Sequence, residues 1–139
     1  MNVGRYVWGS LAVFVFIFLA EWLFHGIIMG STYQEAIGLL RPEDNAGAYS
    51  VWMILGFLIL AFGFGFVFVK GYENKGCMEG LRYGLYVAVA FGVSTKLVNF
   101  AVFPYPASWV VAWLIGETII MIVAGLVFAA IYKPKPAVS

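Results

Sequence analysis

The chain has 139 residues, a net charge of +1 and one cysteine; 63% of its residues are hydrophobic, 19% aromatic and only 11% charged, with mean hydropathy +0.94. A soluble domain of this size is about one-quarter charged and under half apolar, so this composition excludes ordinary solubility in water and makes lipid part of the solvent. The charge balance gives no basic surface for nucleic acid, and a lone Cys77 excludes an intramolecular disulfide.

Four segments are long and apolar enough to cross a hydrocarbon core, which takes about 20 helical residues. They are Tyr6–Ile28, Tyr49–Val69, Leu81–Phe103 and Ala107–Tyr132. The fold expected is therefore an all-α, four-transmembrane-helix bundle of up-down-up-down topology, forming one domain over residues 1–139. The first segment is too long for a signal-peptide core, carries Glu21 and His25, and lacks a small-x-small cleavage site. It reads as a retained helix.

The first loop contains Thr32-Tyr-Gln-Glu35, which fits a capping box, and then Tyr33, Ile37 and Leu40 at helical spacing up to Arg41-Pro42. That pattern predicts a short helix lying on the outer membrane surface. Trp8, Trp52 and Trp109 fall near span ends, where aromatic rings anchor a helix at the interface. The second loop holds Gly71, suited to end the second helix in a left-handed conformation. It also starts a row of small residues at intervals of four, Gly76, Gly80, Gly84, Ala88 and Gly92, which predicts close helix packing. No lysine-containing Walker pattern accompanies these glycines. The pairs Arg5-Tyr6 and Arg82-Tyr83 open the first and third spans, a faint sign of two tandem hairpins. The third loop, Pro104-Tyr-Pro106, reads as a tight turn.

Lys and Arg are distributed asymmetrically. Arg5, Lys70, Lys75, Arg82, Lys133 and Lys135 fall on the side shared by both termini, against Arg41 alone on the other. The positive-inside rule then puts both termini in the cytoplasm.

Few ionisable residues lie within the spans: Glu21 and His25 in the first, Lys96 in the third and Glu117 in the fourth. Each charge at mid-bilayer costs about 3 kcal/mol or more, so such groups turn inward and pair. At about 1.5 Å per residue, Glu21, Lys96 and Glu117 lie roughly 13, 10 and 15 Å below the outer surface. His25 stands one turn above Glu21, and Asn99 one turn above Lys96. One buried cluster of Glu21, His25, Lys96, Asn99 and Glu117 is expected. It could set helix register, because mispaired helices would leave charges in lipid. It could instead bind or relay a proton or cation, because two carboxylates exceed one lysine. Glu21, His25 and Glu117 could also supply three ligands to a metal, although Lys96 at the same depth repels a cation.

With one histidine, bis-histidine haem is excluded within a subunit, and His/Met ligation would have to draw on Met29, Met53 or Met121. There is no serine–histidine nucleophile motif, no paired cysteine and no Gly-rich cofactor loop. The expectation is a non-enzymatic accessory or structural component of a membrane assembly, without cofactor, surrounded by lipid and associated with itself or with a larger complex, its buried charges fixing helix register; the alternative is a protein that handles protons or a cation at that cluster.

The stretches Glu21-x-x-x-His25-Gly26 with Tyr33, Arg41-Pro42, and Lys70-Gly-Tyr-Glu-x-x-Gly76-x-x-Glu79-Gly-Leu-Arg-Tyr-Gly84 resemble those of short, uncharacterised bacterial four-helix membrane proteins. The resemblance implies a bacterial inner-membrane location and two hairpins joined by a Gly-rich loop. It implies no activity.

Overall fold

The computed structural model describes residues 1–41 and 43–133. Four helices in it are long and apolar enough to cross a membrane: Val3–Ile28, Gly47–Lys70 (continuous with a start at Glu43), Cys77–Val102 and Ala107–Ile131. Large apolar side chains face outward along all four, as Trp8, Ile59, Phe91 and Ile115 illustrate. The expected stops at Pro42 and the expected charge of Lys135 lie outside the described residues.

The first and fourth helices meet along their lengths with opposite ends together. Asn2 caps the first helix by accepting the Arg5 N–H at 3.3 Å, and its Nδ2 donates to the Lys133 carbonyl. Arg5 donates to the Ile131 carbonyl at 3.1 Å, a cation on the negative end of the fourth helix. At the far ends Phe24 packs against Gly116, where a Cβ would strike its ring.

The second helix leans on the first, and the third on the fourth. The Arg-Tyr pairs explain part of this. Tyr6 donates its hydroxyl to the Phe62 carbonyl at 3.1 Å, and Tyr83 donates to the Phe64 carbonyl at 2.6 Å. Two tyrosines from different helices thus hold one Gly-rich stretch of the second helix. Phe64, Phe68, Phe128, Val13 and Ile17 form the buried core beside it.

Gly80 and Gly84 do form the expected seam. A Cβ on either would collide with the backbone of Gly125 or Met121, and Ala88 beside them is fully enclosed. Gly76 and Gly92 do not belong to that seam, because a Cβ on either would meet nothing. Gly76 instead takes φ 63° and ψ −141° just before the third helix, a conformation open to glycine. Contrary to expectation, Gly71 is not left-handed; its N–H continues the helix to the Val67 and Phe68 carbonyls, and Asn74 (φ 61°) turns the chain.

The loop between them is organised by Glu79, which is 5% exposed and accepts the Glu73 and Lys75 N–H groups at 2.6 and 2.8 Å. The first loop differs from its expectation. Its helical turn begins at Gly30, so Thr32 lies inside it and caps nothing; a 3₁₀ segment, Gln34–Leu39, follows with a break at Ala36. Trp109 does not stand exposed at a span end as Trp8 and Trp52 do. It is fully buried, because its indole N–H reaches the Thr32 carbonyl at 3.2 Å and ties the loop to the fourth helix.

Candidate functional site

Two helices change pitch where the charges lie. The first becomes π-helical over Trp22–Ile28, closed by a Met29 N–H to Phe24 carbonyl bond of 2.8 Å; the third does so over Ala88–Val93. Such wide turns cost hydrogen-bond geometry and recur at functional sites. His25 sits within the first π segment, Gly92 within the second, and Lys96 about one turn beyond it. The widened turn also explains why the four-residue spacing stops marking the packed face at Gly92.

The expected cluster forms in part, as two pairs. Glu21 Oε2 lies 3.1 Å from His25 Nε2 within the first helix. Lys96 Nζ lies 2.8 Å from Glu117 Oε1, bridging the third and fourth helices. None of the four is fully enclosed: their side chains are 14% (Glu21), 35% (His25), 26% (Lys96) and 17% (Glu117) exposed.

Aromatic groups join the pairs. His25 Nδ1 is hydrogen-bonded to the Tyr33 hydroxyl, which also accepts the Trp113 indole N–H at 2.7 Å. The ammonium of Lys96 stands 5.0 Å above the Trp113 ring, within cation–π range. An unbroken chain of contacts therefore runs Glu21, His25, Tyr33, Trp113, Lys96, Glu117. Burial raises the Tyr33 hydroxyl above the usual phenol range, the Trp113 bond lowers it, and the carboxylates of Glu117 and Glu21 raise it further. The net direction is upward, which keeps Tyr33 protonated at neutral pH.

All four ionisable residues line one cavity of about 430 Å³, together with Thr95. Its remaining walls are apolar: Phe57 and Leu60 from the second helix, Val87, Phe91 and Gly92 from the third, and Met121 from the fourth. The second and third helices pack on each other near their joined ends, through Tyr83 against Phe64 and Phe68.

Asn99 does not join the cluster: it lines no part of the cavity and makes no side-chain hydrogen bond among the described residues. Glu21, His25 and Glu117 do not form a metal site either. Both ring nitrogens of His25 are engaged, Glu117 is held by Lys96, and no three acidic, His or Cys side chains converge among the described residues. Tyr33, Trp113 and Thr95 carry no charge at neutral pH, so charge at membrane depth does not point to them. Trp113 could have been found, because it stands one turn before Glu117 on the same helix face.

No family model, no curated protein and no solved structure matches the chain.

Proposed function

We propose that this is an integral membrane protein of four up-down-up-down spans that exchanges protons, or binds a small cation, in a cavity of its outer half. Both termini face the cytoplasm in this reading, and the location is a bacterial inner membrane. The observation that carries it is that Glu21, His25, Lys96 and Glu117 all line one open cavity, and that each stays partly exposed there although paired. Helix register gives no reason for the Glu21–His25 pair, since both residues lie on one helix and cannot align it with another. The Gly80, Gly84 and Gly125 contacts already align the third and fourth helices. Ionisable groups left accessible at membrane depth are the usual marks of an ion or proton path.

Proteoliposomes with an internal pH dye test this. Proton or cation entry that is lost in Glu117→Gln and Glu21→Gln, with the bundle still folded, is the expected result. Equal permeability of wild type, both variants and empty vesicles rejects it.

A second reading has one observation in its favour. The Lys96–Glu117 pair does bridge two helices, as a register-setting role in an accessory subunit or homo-oligomer would need. Native mass spectrometry from mild detergent separates the two: defined partner subunits support the accessory role.

A further inference from the structure

The groups around His25 differ in what they can donate and accept, and for a neutral His25 beside an ionised Glu21 this fixes which ring nitrogen carries the hydrogen. An indole N–H can only donate, so the Tyr33 oxygen accepts from Trp113 at 2.7 Å. A carboxylate can only accept, so His25 Nε2, 3.1 Å from Glu21, carries a hydrogen. A neutral imidazole has one N–H, which leaves Nδ1 as an acceptor and makes the Tyr33 O–H its donor. The opposite tautomer would set the Nε2 lone pair against the Glu21 carboxylate.

We propose that Tyr33 and Trp113 are positioning residues that hold His25 as its Nε2–H tautomer, aimed at Glu21, so that the outer loop governs proton delivery to the cavity. Its functional meaning rests on the proton reading above. The titratable groups around His25 come from every side: Glu21 on its own helix, Tyr33 from the loop, Lys96 and Glu117 across the cavity. The second helix contributes only Phe57 and Leu60 there.

The chain of bonds has a direction. A proton delivered from outer water to the Tyr33 oxygen releases the phenol's own proton to Nδ1, as the O–H bond breaks and Nδ1–H forms. The Nε2–H bond breaks in turn, and that proton joins the Glu21 carboxylate. One proton enters and one reaches Glu21, while phenol and imidazole end neutral. His25 is left as the Nδ1–H tautomer and must return before the next transfer.

Because His25 is the chain's single histidine, ¹⁵N-histidine labelling reports this site alone. Wild type at neutral pH should show a protonated Nε2 and a hydrogen-bonded, unprotonated Nδ1. A wild-type spectrum with the proton on Nδ1 overturns the inference. Tyr33→Phe keeps the ring stacked on His25 but removes the donor. The Nδ1 signal should then move to the unbonded position, and the Nδ1–H tautomer should rise several-fold. Trp113→Phe should move the same signals less. Spectra unchanged in both variants also overturn it. The Nε2–H form without any Glu-dependent flux upholds this assignment and rejects the proton reading; flux with the Nδ1–H form does the reverse.

Discussion

Around Gly80, Gly84 and Gly125 the third and fourth helices run backbone against backbone, with Ala88, Met121 and Phe128 enclosed beside them. Further along the same two helices, Gly92 faces open space, the third helix widens into a π segment, and Lys96 reaches Glu117 across the rim of a cavity. One half is closed by van der Waals contact, the interaction left to a bundle when lipid removes the hydrophobic drive. The other half forgoes that contact and keeps its charges accessible. Stability and chemistry are thus separated along one helix pair, and substitutions in the two halves should behave differently.

The sharpest contrast uses two glycines from one row. Gly84→Val puts a branched side chain into the Met121 and Ile122 backbone, which cannot give way. A loss of about 3 kcal/mol or more is expected, read as a lowered unfolding temperature in detergent. Gly92→Ala meets nothing and should change stability by less than about 1 kcal/mol, in the favourable direction that alanine's helix propensity dictates. Equal losses at both positions would erase the distinction between the halves.

Why the sequence revealed the seam and the charges but not their boundary follows from these residues. Span lengths and small-residue spacing report directly on solvent and close approach, so the four helices and the Gly80–Gly84 contact were legible. The π turns were not, because no residue type marks a widened turn, and so Gly92 was placed with the seam. Charge at membrane depth announced Glu21, His25, Lys96 and Glu117. Tyr33 and Trp113 carry no charge and were hidden among twenty-six aromatic residues, eight Tyr, five Trp and thirteen Phe. Asn99 shows the limit of spacing alone: one turn from Lys96, it still lies away from the cavity.

The cavity half can be broken at its bridge. Lys96→Met leaves Glu117 without its partner at 2.8 Å. Loss of a wholly buried partner costs about 3–5 kcal/mol; with both side chains partly exposed, about 2 kcal/mol is expected. The double variant Lys96→Met, Glu117→Gln should recover most of this, and a double-mutant cycle measures how much. If Lys96→Met costs nothing, the pair adds nothing to the fold and its presence is wholly a matter of chemistry.

At the opposite end, beyond the glycine seam, Glu79→Gln tests a buried carboxylate that holds the second loop. Its two oxygens accept from Glu73 and Lys75 N–H groups, and a Gln amide would turn one acceptor into a donor facing an N–H. The expected loss is about 1.5 kcal/mol with no effect on proton entry. Hydrogen exchange at Glu73 and Lys75 should speed up while the cavity residues stay unchanged.

The smallest effect belongs to the surface of that same loop. Glu73 is held below the usual carboxylate range by hydrogen bonds from Lys75 and Arg82, each at 2.7 Å, and by their charges. A folded-state value below the unfolded one means that folding favours the ionised form. The pair's contribution is therefore complete above the unfolded carboxylate range and disappears as pH falls through the lowered folded value. Because the Glu73 side chain is exposed at the surface, salt should screen it readily. Unfolding followed from neutral to acid pH should thus show a small acid-side loss at low salt that Glu73→Gln abolishes. A loss that persists in Glu73→Gln, or that high salt leaves untouched, would move its origin from this exposed loop to the carboxylates of the cavity.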